Sequence, residues 1–346
     1  MRQLFTLSFA TLVALSINAQ SLTSPESVEY DVAYDRYLVS NSGDGTIVAR
    51  DQAGVITSFA TGIPSGPYGL EILGNTVYAC AGGRVRGFDL ATGAQVVNVN
   101  CGGSFLNGIT TDGTFIYATD FSNQSIFKID VDAGTSTTFI ANTGGTPNGI
   151  VYDPDLGAGV LWVAFWGSNA PVKSYALDGT PGQTFATTLS NIDGITRDCL
   201  GNLYLASWTP DAITRLEISS GTQTNMGWSV SDPADIDFDA VNSLICIPNT
   251  SPNTVTLETV DACITGIADH GLNGGITLSP NPTTNTIQFA NANNARTYKI
   301  LDSGSRVVLS GKVPSNTTID VSVLRPGIYI LALDGAAQFS RFVRAQ

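Results

Sequence analysis

One segment of the chain recurs with variations, and its fullest copy reads Ile192-Asp193-Gly194-Ile195-Thr196-Arg197-Asp198-Cys199-Leu200-Gly201-Asn202-Leu203-Tyr204-Leu205-Ala206-Ser207-Trp208. The segment has the pattern of a short strand, a tight turn at Gly201-Asn202 and a second, alternating strand. Shorter copies begin at Pro25-Glu26-Ser27-Val28, Pro67-Tyr68-Gly69-Leu70, Leu106-Asn107-Gly108-Ile109, Pro147-Asn148-Gly149-Ile150 and Pro233-Ala234-Asp235-Ile236. The recurrence indicates one structural unit repeated along the chain.

The spacing of the copies identifies the architecture. Their third residues are separated by 42, 39, 41, 45 and 41 positions, at Ser27, Gly69, Gly108, Gly149, Gly194 and Asp235. A period near 40 with about four strands per unit is typical of a β-propeller. We therefore predict an all-β chain with a six-bladed β-propeller over residues 25–263. The last blade has sequence for only three strands, so any strand that closes the ring is short or absent.

The segments outside the repeats have different characters. Residues 1–19 combine an N-terminal positive charge with an apolar run, which predicts a secretory signal peptide. Residues 264–275 are rich in glycine and predict a linker. This linker contains His270, the single histidine of the chain, so catalysis based on histidine is excluded. Residues 276–346 contain seven short alternating segments, which predict a small C-terminal β-sandwich.

Composition limits the partners of the chain. The 16 basic residues are outnumbered by 29 acidic residues, which gives a formal net charge of −13 and a pI near 4.3. Such a surface repels nucleic acid and anionic lipid, so neither is expected as a partner. No run beyond the signal peptide approaches membrane-spanning length. The mature protein is therefore expected to be exported and not membrane-spanning.

Five cysteines enter an oxidising compartment on export, where disulfides are allowed. In the propeller frame Cys80 and Cys101 approach the same side of blade two, and Cys199 and Cys263 lie near the opposite side of blades five and six. These are the two expected disulfide pairs, with Cys246 left over. The alternative is that the thiols are buried and act as small apolar residues.

The opening positions of the six repeats converge on one mouth of the central channel. They are Glu26, Tyr68, Asn107, Asn148, Asp193 and Ala234. Carboxylate and amide oxygens suit a hard divalent cation, with Ca²⁺ preferred and Zn²⁺, Mn²⁺ or Mg²⁺ possible. The alternative is that Asn and Asp precede glycine because both favour turns, although Glu26 precedes serine and has no such explanation.

Aromatic residues are expected around the same mouth. The second strands of blades three, four and five end in Asp120-Phe121, Phe165-Trp166 and Ser207-Trp208. We predict a pocket for a ligand with an apolar or sugar face, lined by Asn107, Asp120, Phe121, Trp166, Trp208 and Tyr68. The alternative is ordinary packing between blades.

The C-terminal region resembles the sorting domain of proteins exported by the type IX (Por) secretion system. The matching segments are Ser279-Pro280-Asn281-Pro282, Tyr298-Lys299-Ile300-Leu301-Asp302-Ser303-Gly304, Ile319-Asp320-Val321-Ser322 with Leu324, Pro326-Gly327-Ile328-Tyr329-Ile330-Leu331, and a basic end at Arg341 and Arg344. The resemblance implies a Gram-negative host and passage through the periplasm. It also implies release or surface attachment, with the type IX machinery as a partner through residues 276–346.

The propeller resembles the gluconolactonase and senescence-marker protein family, which is related to paraoxonases and strictosidine synthases. The similar segments are Pro25-Glu26-Ser27-Val28-Glu29-Tyr30-Asp31, Asn148-Gly149-Ile150 and the segment from Asp193 to Tyr204. The resemblance implies that Glu26, Asn148 and Asp193 are metal ligands. It makes Asn107 a ligand or substrate contact, and Asp193 the catalytic base.

One departure from that family concerns the substrate. Its sugar-lactonases place an arginine just before the Asn of the third unit, whereas this chain reads Gly103-Ser104-Phe105-Leu106-Asn107. A less polar substrate is therefore expected, or none. Two functions remain open: a metal-dependent hydrolase of lactones or related esters, and a non-catalytic propeller with a structural metal that binds a glycan, peptide or small molecule.

Overall fold

The computed structural model describes residues 21–261, 277–290, 297–302, 307–333 and 338–345. The predicted signal peptide and linker, with His270 and Cys263, lie outside this part of the chain. The described residues form strands, turns and loops without any helix, and none of them could cross a membrane as a helix. The all-β class is confirmed.

Six antiparallel sheets follow one another, one for each sequence repeat. Blades one to three consist of β1 (Pro25–Asp31), β2 (Arg36–Asn41), β3 (Thr46–Asp51), β4 (Ile56–Ala60), β5 (Leu70–Leu73), β6 (Thr76–Ala81), β7 (Arg84–Asp89), β8 (Gln95–Asn100), β9 (Leu106–Thr111), β10 (Ile116–Asp120), β11 (Ser125–Asp130) and β12 (Thr135–Ile140). Blades four to six consist of β13 (Thr146–Asp153), β14 (Val160–Trp166), β15 (Val172–Ala176), β16 (Pro181–Phe185), β17 (Ser190–Arg197), β18 (Asn202–Thr209), β19 (Asp211–Glu217), β20 (Gln223–Asn225), β21 (Asp237–Asp239), β22 (Leu244–Asn249) and β23 (Thr254–Thr259). In the described chain blade six has three strands, as predicted.

Burial falls from the inside of each blade to the outside. In β14, Trp162, Val163 and Ala164 are fully buried, because both faces of this strand pack against neighbouring blades. The outer strand β16 of the same blade is largely exposed. This gradient explains why second strands are nearly continuous apolar runs, whereas fourth strands are rich in Thr, Gln and Asn.

The ring closes where blade six meets blade one. The carboxyl groups of three alternate aspartates at the start of blade six each accept one hydrogen bond from blade one. The pairs are Ser27 Oγ to Asp235 (3.0 Å), Tyr30 N to Asp237 (3.1 Å) and Tyr37 Oη to Asp239 (2.9 Å). Within the described residues blades one and six share no strand. They are joined by these side-chain hydrogen bonds, by a backbone hydrogen bond from Asp235 N to Glu26 O at 2.9 Å, and by apolar packing such as that of Val28 with Cys246.

The inner strands of neighbouring blades approach closely at the repeated glycines. A Cβ atom on Gly194 would lie 2.5 Å from the carbonyl oxygen of Ala234, and one on Gly149 would lie 2.8 Å from that of Asp193. Only glycine allows this approach, because any side chain would meet the backbone of the next blade. The glycines thus bring the preceding residues of adjacent blades together at the channel mouth.

The C-terminal region forms two sheets with apolar side chains between them. The strands are β24 (Thr277–Ser279), β25 (Thr286–Ala290), β26 (Thr297–Leu301), β27 (Val307–Lys312), β28 (Thr318–Asp320), β29 (Gly327–Leu333) and β30 (Gln338–Arg344). One sheet has the order β24-β25-β28 and the other β27-β26-β29-β30. Ile287 and Phe289 of the first sheet share a buried cluster with Ile300, Leu331 and Phe342 of the second. The predicted small β-sandwich is confirmed.

The cysteines correct one expected disulfide. Cys80, Cys101 and Cys246 are buried free thiols, so the predicted bond between Cys80 and Cys101 is wrong. The Cys80 sulfur faces the carbonyl of Gly108 at 3.8 Å, and the Cys101 sulfur faces that of Val99 at 3.9 Å. Burial raises the pKa of Cys101 to about 11, which is typical of a packed thiol. Cys199 is disulfide-bonded, and its expected partner lies outside the described residues.

Candidate functional site

Register shifts mark the channel mouth in four of the six blades. In blades one, three, four and five, the first strand has one more residue than its partner across the shift. The shifts fall at Glu26, at Asn107-Gly108, at Asn148-Gly149 and at Asp193, and so include four of the six predicted opening positions. A β-bulge redirects the side chain at the inserted position and is common near functional sites.

Three of these side chains form a hydrogen-bonded row across blades three, four and five. The Asn148 Nδ2 atom donates to Asp193 Oδ1 at 2.8 Å, and Asn107 Nδ2 donates to Asn148 Oδ1. All three residues are buried, with exposed fractions of 6%, 2% and 4% for Asn107, Asn148 and Asp193. The mouth therefore contains a pre-ordered polar row that is largely shielded from bulk water.

Two carboxyl groups at the mouth have raised proton affinities. Burial raises the pKa of Asp193 to about 7, while hydrogen bonding from Asn148 and Trp208 opposes this shift. Burial, together with the charges of Asp193 and Asp235, holds the pKa of Glu26 well above its usual value. In the described residues neither these two carboxyls nor that of Asp235 has an ion pair. When ionised they repel one another, and a bound proton or cation would relieve that repulsion.

An arc of five aromatic rings runs along blades two to five. We call Tyr68, Phe105, Phe121, Trp166 and Trp208 the aromatic arc. Successive ring centroids lie 4.7, 5.4, 5.9 and 5.2 Å apart, and each pair is tilted or edge-to-face. Every ring is half-buried and keeps an accessible part.

Both ends of the aromatic arc meet the acidic positions of the mouth. Burial and the charge of Glu26 raise the pKa of Tyr68 at one end. At the other end the Trp208 indole donates to the carbonyl of Pro233 at 3.1 Å and lies near enough to Asp193 to favour its charged form. The arc therefore encloses one side of the polar row.

The structure brings most of the predicted site residues together but removes Asp120 from the pocket. Asp120, predicted to line the pocket, is fully buried, and its carboxylate accepts hydrogen bonds from the backbones of Ser104 (2.8 Å) and Phe105 (3.2 Å) and from the Asn123 amide (2.8 Å). Asp120 thus shapes the loop that presents Phe105 and is not available to a ligand. The last of the six opening positions at the mouth, Ala234, is buried and apolar.

Phe105 was missed by the sequence prediction. It precedes the third repeat rather than ending a second strand, so the strand-end rule did not select it. The available signal was its place two residues before Asn107, in a loop that must cross the mouth.

The donor chemistry at the mouth can be compared with the needs of a metal ion. Among the described residues, no group of three or more His, Cys, Asp or Glu side chains has metal-binding geometry. A cation here would therefore need amide oxygens beside Glu26 and Asp193. Asn148 now turns its Nδ2 atom to Asp193, so its amide must rotate to offer Oδ1. That rotation would also break the hydrogen bond from Asn107 Nδ2 to Asn148 Oδ1. In their chemistry, two carboxylates and two amide oxygens are donors that a hard cation prefers.

Comparisons with known proteins bear on the two regions separately. Residues 277–343 match the family described as the secretion system C-terminal sorting domain. No curated protein matches the chain in sequence. The sorting domain indicates export to the cell surface or beyond, and the type IX machinery as a partner of this region.

The solved structures that resemble the chain include β-propellers. A protein of unknown function from Bacteroides thetaiotaomicron aligns with a TM-score of 0.57 at 14% identity, over 68% of this chain and 69% of that one. Virginiamycin B lyase from Staphylococcus aureus, in a catalytically inactive form with quinupristin, gives 0.53 at 18%, over 68% and 80%. The WD40 β-propeller domain of Doa1 gives 0.53 at 13%, over 67% and 77%. These similarities establish the propeller fold and nothing about the ligand.

Proposed function

We propose that this protein is an exported hydrolase that opens a lactone or related ester at the channel mouth with the help of a divalent cation. The observation that carries the proposal is that Trp208 links the aromatic arc to the polar row. Trp208 is the last ring of the arc and also lies beside Asp193. A substrate whose apolar face packs on the arc would therefore place its carbonyl near a buried carboxyl. The resemblance of the inner strands to the gluconolactonase family supports the same reading.

Asp193 is the proposed general base. A carboxyl whose pKa is about 7 can accept a proton from water at neutral pH and still be substantially ionised. Asn148 holds this carboxyl in place by its hydrogen bond, and Asn107 holds Asn148. The half-buried rings of the arc orient the substrate and exclude water from its apolar side.

Glu26, Asn148 and Asp193 are the proposed ligands of the cation, with Asn107 as a further ligand or substrate contact. When bound, a divalent cation would supply Lewis-acid polarisation of the carbonyl and acidify an attacking water. It would also offset the repulsion between the two carboxylates. Ca²⁺ is the preferred ion because all the donors are oxygens.

The proposal is tested with the mature protein and a panel of aromatic and aliphatic lactones and esters. Asp193→Asn should lower kcat/KM at least about a hundredfold, since it removes a general base. Glu258→Gln, which removes a surface carboxyl of β23, should leave kcat/KM unchanged. If the wild-type protein hydrolyses nothing in the panel with any of the four cations, the hydrolase proposal is wrong.

A second candidate is a non-catalytic binding propeller. It is favoured by one observation: Asn107, Asn148 and Asp193 already hydrogen-bond to one another in a row. In that case ligands should change the fluorescence of Trp166 and Trp208 without being turned over.

Export by the type IX system of a Gram-negative host is proposed for the whole chain, with the C-terminal sandwich as the part that the machinery recognises. Its basic residues Arg341 and Arg344 lie on β30, on an otherwise acidic protein, and offer a contact of opposite charge.

A further inference from the structure

The aromatic arc is larger than a single small lactone requires. Five rings in unbroken contact extend across four adjacent blades. One sugar or lactone ring covers about the area of one aromatic side chain, so such a ligand leaves most of the arc unused. Each ring keeps an accessible part, and adjoining accessible apolar groups at a polar rim mark a place where a ligand binds.

We propose that the aromatic arc binds a neutral oligosaccharide of several sugar units, one end of which reaches the row Asn107, Asn148 and Asp193. The inference rests on the proposed function only for the reaction at that end, which would be hydrolysis of an ester or lactone carried by the sugar chain. Binding of the chain along the arc does not depend on catalysis.

The mouth has an apolar aromatic surface beside a polar one, and a sugar likewise has an apolar face and polar hydroxyl groups. The C–H face of a pyranose packs on aromatic rings, and its hydroxyl groups donate to carboxylates and exchange hydrogen bonds with amides. The arc supplies the first surface, and Glu26, Asn107, Asn148 and Asp193 supply the second. A purely apolar ligand would use the rings and leave these polar groups without a role.

The charges of the site favour a neutral chain. Among the described residues, the Lys and Arg side chains that stack on aromatic rings do so on Tyr34, Phe59, Tyr37, Phe115, Tyr117 and Phe165, and none stacks on a ring of the arc. An acidic group packed against these rings would lose its hydration without gaining a cationic partner. An acidic sugar would therefore bind more weakly than its neutral counterpart.

The strand geometry disfavours a peptide. Extended peptides commonly bind by adding a strand to a sheet edge. The mouth is built from strand ends and loops, and the inner strands hydrogen-bond across blades there, as Gly69 N does to Asn107 O at 3.0 Å. The backbone groups in this contact are therefore not available to a peptide strand.

Chain-length dependence is the direct test. Cello-, xylo-, malto- and manno-oligosaccharides of one to about six units are titrated into the mature full-length protein, and binding is measured by calorimetry and tryptophan fluorescence. For at least one series, affinity should rise about tenfold or more from the monosaccharide to the tetrasaccharide and then level off. Equal affinity for all lengths, or no binding in any series, would overturn the proposal.

Substitutions in the aromatic arc test whether the sugar chain binds there. Phe105→Ala and Trp166→Ala should each weaken tetrasaccharide binding about tenfold, the effect of losing one stacked ring. The matched control is Trp228→Phe, since Trp228 stacks on Tyr204 at 6.4 Å and lies outside the arc. Equal losses in the arc variants and the control would contradict the assignment. So would binding of Pro-rich or aromatic peptides at the arc in place of sugars.

The failure of this inference can be told apart from the failure of the proposed function. Hydrolysis of sugar esters and binding of unesterified tetrasaccharides are measured separately on the wild-type protein. Sugar binding without hydrolysis of any sugar ester would refute the hydrolase alone. Hydrolysis of small lactones without sugar binding would refute the oligosaccharide alone.

Discussion

Asn148 on blade four donates a hydrogen bond of 2.8 Å to the carboxylate of Asp193 on blade five. The bond connects two side chains that are 45 positions apart in the sequence and occupy equivalent places in successive repeats. It favours the charged form of Asp193 and so opposes the effect of burial. Asn148 therefore controls the proton affinity of the proposed base.

Replacing Asn148 by leucine should raise the pKa of Asp193 further. A hydrogen bond to a charged group contributes about 1.5–3 kcal/mol, and one pKa unit corresponds to about 1.4 kcal/mol, so the expected rise is about one unit or more. The measurement is a carboxyl ¹³C NMR titration of the metal-free protein. Asn107→Leu should give a smaller rise, because Asn107 contacts Asn148 and not the carboxyl. An unchanged pKa in Asn148→Leu would show that the hydrogen bond does not form in solution.

The metal-free propeller should lose stability as the pH rises. Burial raises the pKa of Asp193 to about 7 and that of Asp237 to about 6, whereas an unfolded Asp titrates near about 3.9. The folded state therefore binds these protons more tightly. Their contribution is complete below about pH 4 and is lost as the pH rises through 6 and 7.

Melting temperatures in EDTA between about pH 5 and pH 8 check this. Asp193→Asn should flatten the upper part of the decline, and Asp237→Asn the lower part. A wild-type melting temperature that rises toward pH 8 would contradict the assigned proton affinities.

A divalent cation should reverse this loss. A cation that binds only the folded state stabilises it by about 2.7 kcal/mol at a hundredfold excess over Kd. The Ca²⁺-induced rise in melting temperature should be larger at pH 8 than at pH 5, where protons compete for Glu26 and Asp193. Glu26→Gln and Asp193→Asn should abolish the rise, and Tyr68→Phe should keep it. If neither Ca²⁺, Mg²⁺, Mn²⁺, Zn²⁺ nor EDTA moves the wild-type melting temperature, the ring positions are explained by turn chemistry.

The sequence was sufficient for the blades because each blade is a local unit. Four strands joined by tight turns leave a period near 40, and the apolar second strand of each unit, such as β14, is visible without tertiary information. The opening positions at the mouth, such as Glu26 and Asp193, could be predicted from the period, because equivalent residues of the blades face the same central axis. The C-terminal sandwich followed from its alternating strands and its motif.

Features that depend on contacts between blades were not predictable in this way. The bulges at the mouth arise because inner strands hydrogen-bond sideways as well as within their own sheet. At the bulge of blade one, Glu26 O accepts a hydrogen bond from Asp235 N of blade six at 2.9 Å. The same contact occupies the start of blade six, where regular pairing in β21 begins only at Asp237 and not at the predicted Pro233. The sequence likewise predicts Asp120 in the pocket, because the hydrogen bonds from the neighbouring loop to its carboxylate depend on the tertiary structure.

Removing the chain after Cys263 should block export but not folding. The repeats end before this point and each blade packs only on its neighbours, so the propeller keeps its core. The truncated protein should remain in the periplasm of a type IX-competent host, with the same metal-induced melting shift as the full-length protein. Immunoblots of periplasm and medium check the location. Wild-type levels of the truncated protein in the medium would refute the role of residues 276–346.

Gly194→Ala should destabilise the propeller by about 3 kcal/mol or more, because the new methyl group would lie 2.5 Å from the carbonyl oxygen of Ala234 and 2.7 Å from the Cα atom of Asp235. Both atoms belong to the backbone, so no side-chain rotation can relieve the overlap. The control is Gly74→Asn in the turn between β5 and β6, where a Cβ meets nothing within 4 Å and Asn accepts the φ of 65°. Denaturant unfolding should place the control close to wild type and Gly194→Ala far below it. Equal stability of the two variants would mean that blades five and six can separate at the mouth without cost. The closed ring of blades would then not be what holds the side chains of Asp193 and Glu26 near each other.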